Sequence, residues 1–93
     1  MKLTADSITN LNAAVLREQG AAAIRSGDAR IDFSAVRRCD TAAVACVLAW
    51  LRDARAAGRP LELVCLPDDL VSLAKLYGVD QLIAPGTPAA PAN

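Results

Sequence analysis

Asp40 and Thr41 are the residues of this chain best placed to do chemistry. The hydroxyl and its neighbouring carboxylate fall between a strand signal, Arg30-Ile31-Asp32-Phe33-Ser34, and a helix signal running from Val44 to Ala57. A hydroxyl at a helix start suits three tasks: capping, phosphate acceptance and partner contact. Capping by Asp40 or Thr41 would contribute about 1 kcal/mol. A phosphate on Thr41 would meet free N–H groups and the positive end of the helix dipole, while Asp40 would oppose it as a like charge. Little else in the chain supports catalysis. Histidine is absent, which removes Ser-His-Asp and Cys-His machinery and His-based metal sites. Cys39, Cys46 and Cys65 lack Cys-x-x-Cys spacing, so no metal site is expected. Cys46 and Cys65 read as small buried hydrophobes. Asp32 and Asp40 lack an acid-base partner. Neither a phosphate-binding P-loop nor a G-x-G-x-x-G fingerprint occurs, so no nucleotide cofactor is expected.

A second cluster surrounds Thr41. Arg37 and Arg38 precede it as a solvated turn, an electrostatic rim or a phosphate contact. Ala42, Ala43, Ala45, Cys46, Ala49 and Trp50 follow it, away from the stripe Val44, Val47, Leu48, Leu51 at helical spacing. The first three turns are therefore apolar almost all round, which makes the helix either wholly buried or a presenting surface. Small side chains at Ala42, Ala45 and Ala49 permit close approach by a partner. Trp50 either anchors that contact or packs under the preceding helix.

The elements that must hold these residues follow from pattern. Apolar positions Ile8, Leu11, Val15 and Ala22 suggest a first helix, ended by Ser26-Gly27-Asp28. Ile31 and Phe33 alternate with polar neighbours as a strand. Gly58 and Pro60 stop the second helix. Leu61–Leu66 reads as a strand buried on both faces. Pro67-Asp68-Asp69 open a third helix with an apolar face of Leu70, Leu73, Ala74 and Tyr77, stopped by Gly78. Gln81-Leu82-Ile83 suggests a last short strand, and residues 1–5 a short edge strand. Residues 85–93, with prolines at 85, 88 and 91, read as a disordered tail. Strands alternating with helices predict an α/β fold with a mostly parallel sheet.

Ninety-three residues that are 54% hydrophobic support one domain with a modest core, since much of that fraction is alanine. Ten basic and ten acidic residues cancel, which disfavours nucleic acid as a partner and removes a brake on self-association. No apolar run has the length of a membrane span or signal peptide, so a soluble cytoplasmic protein is expected.

Ile31-Asp32-Phe33-Ser34-Ala35-Val36 followed by Asp40-Thr41-Ala42-Ala43 resembles the strand-loop-helix signature of STAS domains, in which a D-L-S-x-V strand leads to D-S/T-x-G. The similarity extends through Leu61-Glu62-Leu63-Val64. In Leu73-Ala74-Lys75-Leu76-Tyr77-Gly78-Val79 it looks like the MlaB-like members, the STAS subunits of phospholipid ABC transporters. The resemblance spans about residues 3–84. It implies a small STAS-like domain, a mostly parallel or mixed sheet of about four strands covered by about three helices, followed by the tail at 85–93. It implies a non-catalytic subunit, peripheral to the inner membrane, that binds the transporter's MlaF-like ATPase beside a permease and an MCE protein. That complex maintains outer-membrane lipid asymmetry. By position, Thr41 matches the Ser/Thr at the partner interface, which is phosphorylated in anti-sigma factor antagonists, and Asp40 matches the preceding aspartate. A phosphorylation switch at Thr41 is thus the alternative function. Two features depart from the family pattern. Ala43 stands where glycine is usual, and a short N-terminal strand, about Lys2 to Thr4, leaves a sheet edge open to pairing, a homodimer included.

Overall fold

The computed structural model describes residues 1–83; the tail expected at 85–93 lies outside them. Chain order is β1 (Ser7–Ile8), α1 (Ala13–Arg25), β2 (Arg30–Asp32), β3 (Arg38–Cys39), α2 (Thr41–Ala56), β4 (Glu62–Val64) and α3 (Asp68–Leu76). The expected α/β class with parallel strands and three helices is what forms. The four strands are very short and pair two by two. β2 lies parallel to β4 with Ile31 opposite Leu63, and β1 lies parallel to β3 with Ile8 opposite Cys39. Parallel neighbours need a crossover, and α2 supplies the one between β2 and β4. The N-terminal segment adds a single bridge, Lys2 to Asp32, with Leu3 N–H donating to Asp32 O at 3.0 Å and Asp32 N–H to Met1 O at 2.8 Å. The expected edge strand is thus one bridge long, and it covers the open edge of β2.

Burial along β2 follows the alternation read from the sequence: Ile31 and Phe33 are buried, while Asp32 is half-buried. β4 departs from expectation. Leu61 and Leu63 are buried, Glu62 and Val64 half-buried and Cys65 exposed, so this strand buries one face rather than two. Gln81-Leu82-Ile83 forms a turn instead of a strand, although Ile83 still reaches the core.

The first helix also departs. Ile8 belongs to β1, and Leu11 and Val15 are exposed; the buried positions are Leu16, Gly20, Ala21 and Ile24. The reason lies in residues 9–12. Asn12 turns its side chain back, accepting from Thr9 N–H at 2.9 Å and donating to Ser7 O at 2.9 Å. That ties a turn in place and delays the helix to Ala13. Gly27, at φ +100°, makes the turn that ends α1, and the Arg59 guanidinium donates to Ile24 O at 3.1 Å at the helix end.

α2 carries the centre of the core. Ala43, Val47, Trp50 and Ala54 are completely buried, whereas Leu48 and Leu51 are half-buried. The inward face is therefore rotated from the Val44/Val47/Leu48/Leu51 stripe. α3 buries Leu70 and Ala74 as expected, but Tyr77 is exposed because the helix ends there. The Phe33 and Trp50 rings, 6.2 Å apart, join β2 to α2.

A candidate docking face at the start of the second helix

Asp40 takes the capping role. Its backbone is extended, its Oδ1 accepts from Ala42 N–H at 2.8 Å, and its carbonyl accepts from Ala43 N–H at 3.0 Å. These bonds satisfy N–H groups that a helix start leaves without intrahelical partners. Its Oδ2 accepts from Asn10 N–H at 3.2 Å, and its own N–H donates to Ile8 O at 3.1 Å. One step earlier, Cys39 N–H donates to Asp69 Oδ2 at 3.3 Å, in the first turn of α3. The loop before Thr41 is thus fastened to the 8–10 segment and to α3.

Thr41 is the first residue of α2 and is exposed. Its hydroxyl has no hydrogen-bond partner among the described residues. The division of labour is clear: the carboxylate closes the helix and the hydroxyl faces outward. Ala43, at the position where glycine is usual, has ordinary helical backbone and its methyl lies in the core. This chain needs no glycine there.

Between α1 and α2 runs an open groove of about 290 Å³. α1 contributes Ala13, Ala14 and Arg17 to it, and α2 contributes Ala42, Ala45, Ala49 and Arg52. Alanines on both helices leave nothing to fill the space. Ala45 is exposed, Ala42 half-buried and Ala49 buried at the groove floor. Arg17 and Arg52 form no ion pair among the described residues.

Trp50 corrects one expectation. It is 0% exposed, and its indole N–H donates to Arg17 O at 3.1 Å. The ring occupies the space over Gly20 that a side chain would need: a Cβ there would lie 2.2 Å from Nε1. Trp50 therefore packs under the preceding helix and has no surface to offer a partner. Its role is to hold α1 at the distance that shapes the groove.

Arg37 and Arg38 stand apart from the groove. Both are exposed, and both backbone N–H groups donate to Asp6 O, at 2.7 and 3.3 Å. With Asp6 and Ser7 they line a separate depression of about 410 Å³. They share the β3–α2 connection with Thr41 without lining its groove.

The cysteines divide by environment. Burial pushes the Cys46 thiol up to about 12, partly countered by Arg17, and the thiol donates to Ala13 O at 3.8 Å. Burial, reinforced by the charges of Asp69 and Asp40, pushes Cys39 up to about 11. Cys65, expected in the core, is exposed because it forms the turn after β4 at φ 57°. Among the described residues no group of three or more metal-ligating side chains forms a candidate metal site. No helix of the described residues is long and apolar enough to cross a membrane.

Sequence reasoning missed the contribution of α1. Ala13, Ala14 and Arg17 line the groove, and exposed Leu11 and Val15 lie on the same stretch. The spacing Leu16, Gly20, Ile24 was the signal for the true inward face. Taking that face as buried leaves Leu11, Ala14 and Val15 outside.

The family model described as the MlaB STAS domain matches residues 3–84. No curated protein is similar enough to count as a match. STAS domains are generally regulatory or interaction domains rather than catalysts. A parallel-stranded α/β fold, a capped helix start with an outward hydroxyl, and a match over nearly the whole chain lead to one assignment: the chain belongs to the STAS domain family, among its MlaB-like members.

Proposed function

We propose that this chain is the STAS subunit of a phospholipid ABC transporter and that it binds the transporter's MlaF-like ATPase without catalysing a reaction itself. The observation that carries this is the outward Thr41 hydroxyl on a firmly capped helix start, beside an open groove of small side chains. A preorganised surface of this kind loses little entropy on docking. The contact face comprises Thr41, Ala42, Ala45 and the groove wall from α1, with Asp40 as its support. Arg37 and Arg38 form a rim. Trp50 and Ala49 act from beneath.

Membrane association in this reading is indirect, through the ATPase and its permease, and the site needs no cofactor. A phosphorylation switch at Thr41 has less support, because the Asp40 carboxylate stands beside the acceptor and already occupies the helix start.

The test is co-purification with the ATPase of the same transporter. Thr41→Glu and Ala45→Arg are each expected to abolish capture while leaving the fold intact. Intact-mass measurement after incubation with an anti-sigma kinase addresses the switch. A gain of one phosphate at Thr41, together with unchanged ATPase capture by both variants, would replace this reading.

A further inference from the structure

The groove between α1 and α2 has a direction and a charged end, and both bear on what can lie in it. Three contacts set the direction. The Cys46 thiol donates to Ala13 O, the Trp50 indole N–H donates to Arg17 O, and the Arg59 guanidinium donates to Ile24 O. Residue numbers rise together along both helices, so α1 and α2 run side by side in the same direction. In that register Arg17 stands level with Trp50, one half-turn before Arg52. The two arginines therefore flank one end of the groove from opposite walls. Ala42, next to Thr41, marks the other end.

The charge at the arginine end has no answer within the described residues. Arg17 and Arg52 are exposed and form no ion pair there. Glu18 and Asp53 follow them in sequence, but neither lines the groove. The rest of the lining is alanine and Cys46. Positive charge also reaches the floor, where Arg17 acts on the Cys46 thiol. An open space of about 290 Å³ over small side chains takes apolar side chains, and guanidinium groups at its end take a carboxylate.

Direction then selects the occupant. A trough between two helices suits a third helix laid along it with its apolar face inward. From Ala42 to Arg52 the groove extends about 15 Å, or about three helical turns. α1 and α2 both present their positive dipole ends on the Thr41 side. A helix running against them places its negative end there. Its own first turn, where Asp and Glu are favoured, then comes to Arg17 and Arg52.

We propose that the groove receives an amphipathic helix of the ATPase, antiparallel to α1 and α2, with a first-turn carboxylate paired to Arg17 and Arg52. This occupant rests on the reading that the ATPase docks beside Thr41, and it specifies the element that does so.

The experiment titrates the purified ATPase by calorimetry, at low and high salt, with the native chain and with Arg17→Glu/Arg52→Glu. Both arginines are exposed, and fluorescence of buried Trp50 checks that the variant is folded. Thr41→Glu and Ala45→Arg report on the docking face itself. The expected result is at least about a tenfold loss on charge reversal, and a native affinity that falls with salt while that of the reversed variant does not. Single Asp→Lys and Glu→Lys changes in the helices of the ATPase then locate the partner. One such change in a helix's first turn should weaken binding to the native chain and restore binding to the reversed variant. Native affinity after charge reversal, with Thr41→Glu and Ala45→Arg both defective, overturns the acidic helix and leaves the docking face standing. Restoration only by an acidic residue elsewhere, or by none, overturns the antiparallel acidic start. No binding by the native chain, or native affinity in every variant, overturns the docking face and the helix with it.

Discussion

Gly20→Ala is the substitution that most directly probes how α1 sits on α2. In an open helix interior, glycine to alanine stabilises by about 1 kcal/mol. Here the new methyl would lie 2.2 Å from Nε1, 2.4 Å from Cε2 and 2.9 Å from Cδ1 of Trp50. These atoms belong to a rigid, completely buried ring, so the helices must separate or the ring must move. Overpacking of this kind costs about 1–3 kcal/mol. Displacing the ring also weakens its hydrogen bond to Arg17 O, worth about 0.5–1.5 kcal/mol. The helix-propensity gain does not offset both, and a net loss of about 1–3 kcal/mol results. For a domain of this size the Tm falls by about 5–20 °C. Urea unfolding followed by far-ultraviolet circular dichroism reads the stability, and Trp50 fluorescence reports whether the ring meets water. Trp50→Phe removes the five-membered ring that the methyl strikes. Gly20→Ala should therefore cost much less in that background, giving a clear coupling energy. A wild-type protein stabilised by Gly20→Ala would show that Trp50 does not lie over residue 20, and the derivation of the groove would fail with it.

Further outcomes test the remaining contacts. Asp40→Ala is expected to lose about 1–2 kcal/mol through the cap and the Asn10 tie, with Asp40→Asn retaining most of it; equal losses in a denaturant melt would refute the capping geometry. At pH 8, a thiol reagent should modify Cys65 quickly and Cys39 and Cys46 slowly, because burial holds the latter two at about 11 and about 12; three equally fast thiols would contradict the packing. Asp28 is held below the usual carboxylate range, chiefly by its hydrogen bond from the Met1 ammonium. A depressed pKa stabilises above the ordinary value near 3.8 and loses that contribution as pH falls through the folded value. Asp28→Asn should therefore flatten the acid limb of the stability profile slightly, since the pair is partly exposed; an unchanged acid limb would show that the ion pair does not form in solution.

The helix start at Thr41 was legible because its signals are local. A carboxylate next to a hydroxyl, after a strand and before an apolar run, is enough to locate a cap, though not to say which of the two residues closes it. The phase of α1 and of α2 was harder, whereas α3 buries Leu70 and Ala74 as its pattern predicts. α2 is apolar on nearly every side, so periodicity left its inward face open, and Val44, Val47, Leu48, Leu51 fitted as well as the true set. Packing against Gly20 decided the matter, and that is a contact between residues thirty apart. The Leu11/Val15 pair misled because the Asn12 turn interrupts the helix before its pattern begins. β1 and β3 had no readable signal. Two residues each cannot show alternation, and their pairing depends on the loops around them. Cys65 obeyed the same logic: a small apolar residue at a strand end suggests burial until the turn takes a positive φ.

The central claim is that Thr41 and the groove beside it form a docking face for a transporter ATPase. Titration of the purified ATPase by isothermal calorimetry, with the native chain, Thr41→Glu and Ala45→Arg, tests it most directly. Both altered residues are exposed, and an acidic residue in a helix's first turn is tolerated, so thermal stability should stay near native in each. The account expects saturable binding by the native chain and at least a tenfold loss, about 1.4 kcal/mol, in both variants. Native-like affinity in both folded variants would contradict it.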